Sequence, residues 1–435
     1  MSSSWLVQGG NRLQGTLVPS GSKNAALPDL AATILTDQRV TLHNCPDIMD
    51  VRAMTGLLRD LGAEITEDHQ SNTVSVKAVN VNPLELDEGR SRAIRASILL
   101  AGPIVARTGS VEIPPPGGDV IGRRRLDTHF LVLEMLGARV SFQGRMIRVE
   151  AKNGLKGANI HLDEPSVTAT ENALMAASVA SGTTVIYNAA CEPNVQDLAE
   201  LLISMGADIN GHGTNRITIN GAGELLHGTS HTIAPDHIEI GSFIGLAACC
   251  RGQVTIPGVP ENIIRPTMIG LGRLGVEVVH QNGNLTIPAD QELRVQPDRS
   301  GAIPVIYDSP WPGFSPDLTS TAVILATQAS GTSLIFEKMF ESRMFFVDKL
   351  AAMGAALILC DPHRVVVSGP SKLVGTEVSS PDIRAGMALL TAALCAEGES
   401  IIHNVHQIQR GYGNILKRLA DLGADITPLG AKERE

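Results

Sequence analysis

A five-residue pattern recurs six times along the chain and narrows the folds open to it. The copies are Leu61-Gly62-Ala63-Glu64-Ile65, Leu136-Gly137-Ala138-Arg139-Val140, Met205-Gly206-Ala207-Asp208-Ile209, Leu274-Gly275-Val276-Glu277-Val278, Met353-Gly354-Ala355-Ala356-Leu357 and Leu422-Gly423-Ala424-Asp425-Ile426. Successive copies lie 75, 69, 69, 79 and 69 residues apart. A second mark, a Gly opening an apolar stretch, stands 22 to 27 residues before five of them, at Gly109, Gly182, Gly252, Gly331 and Gly398. Gln38-Arg39-Val40-Thr41-Leu42 takes that place in the first copy.

Each copy reads as one αβ unit. An apolar helical run, such as 94–105 or 387–396, ends at the Gly, which suits a left-handed C-terminal position. A β-rich strand follows, such as 183–187. After a loop comes an amphipathic helix, such as 195–204 with Leu198, Leu201 and Leu202 on one side. The Leu-Gly-Ala segment ends that helix, and one or two strands, such as 216–219, complete the unit. A period near 70 is too long for the common solenoids. Six such units fit an α/β protein of two three-unit globules. The reading places residues 23–235 in a first domain carrying the loop 114–125, and 1–22 with 236–435 in a second. Two chain crossings between the domains would make a hinge, and a hinge a cleft that can close over substrates.

Composition removes several function classes. Among 435 residues, 43% are hydrophobic and 18% charged, a globular profile. Aromatics are only 3% and the net charge is −10, so neither stacking platforms nor a basic stripe for nucleic acid is expected. No uninterrupted apolar stretch is long enough for a membrane span. The start of the chain lacks the basic and apolar regions of a signal peptide, so a cytoplasmic location is expected. Cys45, Cys191, Cys249, Cys250, Cys360 and Cys395 form no C-x-x-C pair, and the twelve histidines show no ligand spacing. Neither a disulfide framework nor a metal is expected, and no cofactor motif stands out. Gly270-Leu271-Gly272-Arg273-Leu274-Gly275 matches a dinucleotide fingerprint, but it closes an amphipathic helix instead of opening one.

Charge concentrates at two places in the repeat. The first is the start of the apolar helix: Lys23 and Asn24 after Ser20-Gly21-Ser22, Arg95, Ser166-Val167-Thr168-Ala169-Thr170-Glu171, Asp317, and Asp382 with Arg384. Helix starts attract anions. Thr168 with Glu171 has capping-box spacing, and Asp317 and Asp382 are good caps. Lys23 and Arg384 cannot cap, so an anionic ligand is the better account of them. The second place is the loop after the Gly-strand: Pro114-Pro115-Pro116-Gly117-Gly118-Asp119-Val120-Ile121-Gly122-Arg123-Arg124-Arg125, Glu341-Ser342-Arg343, and Gln409-Arg410-Gly411-Tyr412. A long Gly/Pro loop with charges reads as a mobile lid.

At these residues the chain resembles the enolpyruvyl transferases of the Mur pathway, which act on UDP-N-acetylglucosamine and belong with the EPSP synthase-like proteins. The likeness spans nearly the whole chain. It rests on Ser20 to Leu27, Arg95 to Ile98, Pro116 to Gly122 with Arg124 to His129, Ser166 to Thr170, Phe340 to Arg343, and Arg410 to Tyr412. It implies two inside-out, barrel-like α/β domains, and transfer of enolpyruvyl from phosphoenolpyruvate to the sugar 3′-hydroxyl without a cofactor. Asp317 would be the base, Lys23, Arg124 and Arg410 would hold phosphate, and Arg343 and Arg384 carboxylate. Arg95 matches an arginine near the lid. Asn24, Arg124, Arg125, Leu126, Asp127, Ser166, Val167, Thr168, Asp317 and Met339 fall at nucleotide-sugar positions, and Asp382 is counted with the substrate-binding residues. Most members carry Cys where this chain has Asp119. A carboxyl can transfer the same proton if burial raises its pKa. It is a poor nucleophile toward the epoxide of fosfomycin, so an active, resistant enzyme is expected. The alternatives are transfer to shikimate 3-phosphate, transfer to another nucleotide sugar, and a non-catalytic binding paralogue. Asn24-Ala25-Ala26 and the Pro-Gly-Gly loop speak against the first, and the retained charges against the last.

Overall fold

Three helices in each half of the chain are apolar around most of their circumference, and such helices must be enclosed. In the computed structural model, which describes residues 4–82, 86–119 and 121–430, they are. All of His237–Cys249 is buried, as is all of Ile383–Cys395 except its last residue and all of Thr319–Gln328 except Gln328. These three helices pack on one another. In the other half Lys23–Ala32, Ala101–Thr108 with the 3-10 turn Arg95–Leu100, and Val167–Val179 play the same part. The sheets form the outer layer, which is the inside-out α/β arrangement. No helix of the described residues is long and apolar enough to cross a membrane.

Six small sheets are present among the described residues, one for each repeat. The fifth shows the plan: Val305–Tyr307 runs parallel to Gly331–Phe336, which pairs antiparallel with Arg364–Gly369, and Leu357–Asp361 lies outside that. Three repeats lack a piece of their own and borrow it. The first takes its parallel strand from Ser230–Thr232, which joins Arg39–His43. The fourth takes Gly15–Thr16, parallel to Val254–Ile256. The sixth ends one strand early, and Ser4–Gln8 fills the gap between Glu399–His403 and Asp425–Leu429. Two compact units result. One comprises Met1–Pro19, Val120–Arg123 and Pro235–Glu435, and the other Ser20–Asp119 and Arg124–Ala234. The loop expected to belong wholly to the first domain thus lends its described residues 121–123 to the other unit. Val120 itself lies outside the described residues.

The repeat glycines serve one purpose. Gly62, Gly137, Gly206, Gly275, Gly354 and Gly423 all have φ between 85° and 102°, the left-handed turn that only glycine enters without strain. Gly109, Gly182, Gly331 and Gly398 are also left-handed, but Gly252 is not. There Arg251 takes the turn at φ 54°, and a Cβ on Gly252 would lie 1.6 Å from the Leu13 carbonyl oxygen. Gly252 serves close approach of the borrowed N-terminal segment. The apparent dinucleotide fingerprint closes the helix Glu261–Gly272, as its sequence context implies.

Gly252→Ala should therefore be the costlier of two matched changes, destabilising by about 3 kcal/mol through backbone displacement. Gly398→Ala, with φ 83° and open space around its Cβ, should cost about 1–2 kcal/mol. Urea unfolding of both variants checks the order, and equal costs would contradict it.

Candidate active site

The charged residues at the helix starts fall into two groups, one in each unit. In the unit Ser20–Asp119 with Arg124–Ala234, Ser22 caps the helix Lys23–Ala32 by accepting from the Ala25 N–H. Gly21 is forced by contact, since a Cβ there would sit 1.8 Å from the Asn44 carbonyl oxygen. Lys23 and Asn24 are the first two helical residues, both half-buried. The Lys23 ammonium pairs with Asp50 Oδ2 at 3.1 Å.

The loop after the strand Ser110–Ile113 packs on the same unit. A Cβ on Gly117 would meet the Arg92 carbonyl oxygen at 1.7 Å, and Gly118, at φ 95°, lies against the backbone of Arg95. Arg95 donates through Nη2 to the carbonyls of Arg124 (2.5 Å) and Arg125 (3.2 Å). Burial, with the Arg124 charge behind it, pushes the Arg95 guanidinium down to about 10, so it remains cationic at neutral pH. Asp119 is half-buried beside these glycines. Arg125 and Asp127 are exposed and pair with each other, Arg125 also reaching Asp163. Leu126 is half-buried.

Ser166 caps the helix Val167–Val179 by accepting from the Ala169 N–H. Val167 and Thr168 are its first residues, so the capping box read from Thr168 and Glu171 is not formed. Glu171 is instead buried and accepts from Asn194 Nδ2 at 2.8 Å. A chain of hydrogen bonds fixes Thr168. Asn172 accepts from the Gly102 N–H and donates to the Ile98 carbonyl and to His129 Nδ1. His129 Nε2 lies 3.0 Å from Thr168 Oγ1. Burial, helped by the Arg95 charge, pushes His129 down to about 3. The ring is therefore neutral, with its proton on Nε2 pointing at Thr168. Nothing local in the sequence marks this chain, whose members come from separate repeats.

In the other unit, Asp317 joins two arginines. Ser315 caps the short turn Pro316–Leu318, so Asp317 is not the cap its type suggests. Its Oδ1 pairs with Arg343 Nη2 at 2.5 Å and its Oδ2 with Arg384 at 3.2 Å. The Arg343 and Arg384 side chains are only 9% and 5% exposed. Burial opposes the charge on Arg343, and Asp317, Glu337 and Asp382 outweigh it. Asp382 does cap, accepting from the N–H groups of Arg384 and Ala385. Arg384 also donates to Tyr412 Oη at 3.1 Å, and Tyr412 meets Ser242 at 2.8 Å. Arg410 donates to Gln407 Oε1 at 2.9 Å, and Met339 is 41% exposed. Glu341 accepts from the Arg123 N–H and Ser342 N–H donates to the Ile121 carbonyl, which ties the loop segment to 340–343.

Lys23 and Arg384 thus meet protein carboxylates, a partner the sequence reading did not supply. An incoming anion would have to compete with Asp50 and Asp317. Beneath Arg343 sits a group that sequence reasoning missed. Glu337 and Asp308 are both 0% exposed. Burial raises Glu337 to about 8, the Arg343 charge opposing and Asp308 adding to the rise. Folded protein therefore holds this proton over a range, from about 4.5 to 8, in which unfolded protein has released it. By linkage, stability from this group falls as pH rises through that window. Glu337→Gln keeps an acceptor for the Phe340 N–H and removes the titration. Its Tm relative to the parent should climb from pH 5 to 8 and then level off. A difference independent of pH in thermal melts would refute the assignment.

Comparison with known proteins follows the same lines. A family model described as EPSP synthase (3-phosphoshikimate 1-carboxyvinyltransferase) matches residues 7–419. The UDP-N-acetylglucosamine 1-carboxyvinyltransferase of Treponema denticola is 53% identical over 422 residues, covering 97% of this chain and 98% of its own. That of Bradyrhizobium diazoefficiens is 52% identical, covering 97% of each. The crystal structure of the enolpyruvyl transferase NikO from Streptomyces tendae superposes with a TM-score of 0.87 at 26% identity, over 99% of this chain and 100% of that one. The chain belongs to the UDP-N-acetylglucosamine 1-carboxyvinyltransferases, within the EPSP synthase family.

Proposed function

We propose that this family member transfers the enolpyruvyl group of phosphoenolpyruvate to the 3′-hydroxyl of UDP-N-acetylglucosamine, releasing phosphate. The reaction would be the first committed step of peptidoglycan precursor synthesis, carried out in the cytoplasm. The observation that carries this reading is 53% identity over 97% of the chain to a relative named for that activity. No nucleic acid, membrane or organic cofactor enters the scheme.

The chemistry is an addition followed by an elimination. The 3′-hydroxyl oxygen adds to C2 of phosphoenolpyruvate, its proton passes to a base, and C3 gains a proton. C3 then loses a proton, and the C2–O bond to phosphate breaks as the double bond reforms. In our reading Asp317 takes the hydroxyl proton and Asp119 serves C3. Lys23, Arg124 and Arg410 hold the phosphate, and Arg343 and Arg384 the carboxylate. Arg95, held by two loop carbonyls, steadies the segment that carries Asp119. Asn24, Arg125, Leu126, Asp127, Ser166, Val167, Thr168, Met339 and Asp382 are assigned to the nucleotide sugar.

The pairing of Asp317 gives this scheme a physical sequence. Asp317 holds both guanidiniums with its two oxygens. A substrate carboxylate binding Arg343 and Arg384 takes over those N–H groups, since fork-shaped donors favour carboxylates. One oxygen of Asp317 is then released to accept a proton. Positioned charges of this kind are commonly the largest catalytic contribution.

The test is phosphate release from phosphoenolpyruvate with UDP-N-acetylglucosamine, with shikimate 3-phosphate, and with neither. Release should need the first acceptor. Asp119→Ala should lose about 10²- to 10⁴-fold. Asp119→Cys should keep activity and become sensitive to fosfomycin, which should leave the parent enzyme working. No release by the parent, or covalent drug modification of Asp119 with loss of activity, would overturn the reading.

A further inference from the structure

Deep in the unit Ser20–Asp119 with Arg124–Ala234 lies a set of side chains that the proposed chemistry does not use. Asp29 comes from the helix Lys23–Ala32, Asp197 from the helix Pro193–Ser204 and His231 from the strand Ser230–Thr232. Each places one donor atom within 4.8 Å of the others. Asp29 is 0% exposed and Asp197 5%.

Their polar atoms are unsatisfied. Both oxygens of Asp29, Oδ2 of Asp197 and Nε2 of His231 have no hydrogen-bond partner among the described residues. Asp197 Oδ1 lies 3.4 Å from His231 Nε2 and accepts weakly from the Ala234 N–H. Two buried carboxyls in contact cannot both carry charge without a cation. A proton shared between the two acids satisfies one oxygen of each. It leaves the second oxygen of Asp29 without a hydrogen bond and His231 Nε2 with only the 3.4 Å approach of Asp197 Oδ1, and buried groups are rarely left so.

We propose that Asp29, Asp197 and His231 bind one divalent transition-metal ion, with zinc the first candidate, in a site that is structural and not catalytic. Two carboxylates balance the charge of the ion, and the shared proton leaves as it binds. Ligands about 2.1 Å from a tetrahedral ion are separated by about 3.4 Å, the spacing found between Asp197 Oδ1 and His231 Nε2. Asp29 has two oxygens to offer and can complete four donors. An imidazole among the ligands favours zinc-like ions over magnesium or calcium, which prefer oxygen throughout. Cys45 does not join the group, in which only Asp29, Asp197 and His231 place donor atoms within 4.8 Å of one another.

The ligands come from 29, 197 and 231, which is why spacing in the sequence gives no hint of them. Together they would join the helix that begins with Lys23 to the strand that completes the sheet of the first repeat.

Metal retention by the full-length protein decides the matter. The protein is stripped with a chelator, exposed to a slight excess of Zn²⁺, desalted and assayed for zinc by mass spectrometry, with Tm measured in parallel. About one equivalent should be retained with a rise in Tm, and Mg²⁺ should give neither. Asp29→Leu and His231→Gln should each abolish retention. Co²⁺ in place of zinc should give visible absorption bands at one equivalent, absent in His231→Gln. No retained metal in the parent, or retention in both variants equal to the parent's, would overturn the proposal. Should Asp29→Leu fail to fold, the His231→Gln comparison and the cobalt spectrum still settle it.

Discussion

The enclosure of helices that are apolar around most of their circumference governs the rest of this molecule. A helix such as His237–Cys249, buried at every residue, has little flank on which to carry charge, and its one carboxylate, Glu239, lies in the first turn and pairs with Arg418. Only its ends leave the apolar layer, and its first turn presents unpaired N–H groups. Charged and polar residues therefore gather there: Lys23 and Asn24, Arg95, Ser166 and Thr168, Asp317, and Asp382 with Arg384. Fold and candidate chemistry are in this sense one arrangement.

Those ends are costly places for cations, because the helix dipole is itself positive at the start. The structure meets the cost with carboxylates: Asp50 faces Lys23, and Asp317 spans Arg343 with Arg384. Removing Asp317 would leave two guanidiniums in a nearly dry setting. Its twofold pairing holds both arginines in place.

The α/β class and the repeated plan could be read from the chain because they rest on local rules. Left-handed glycines recur at fixed intervals, and apolar runs differ visibly from amphipathic ones. Gly252 shows where local rules end. It looks like the other strand-opening glycines, yet its reason is the Leu13 carbonyl far away in sequence. The candidate site divides in the same way. Which helix starts carry charge was open to inspection. What each charge touches was not, since Asp50 meets Lys23 from a different helix, Glu337 meets Arg343 only once the loop is folded, and the Asn172–His129–Thr168 chain joins two repeats. Thr168 and Asp317 were both given capping as their bland account, and in both cases a serine two residues earlier does the capping.

The borrowed strands also set an order of events during synthesis. Ser4–Gln8 and Gly15–Thr16 leave the ribosome well before their partners Val254–Ile256, Glu399–His403 and Asp425–Leu429. The unit built from 20–119 and 124–234 is closed by its own final strand, so it has all its parts while the N-terminal residues still wait. Until those partners emerge, this segment carries unsatisfied strand edges and the apolar side chains of Trp5 and Val7. The nascent chain thus has an interval in which chaperones or neighbouring polypeptides compete for residues 4–16.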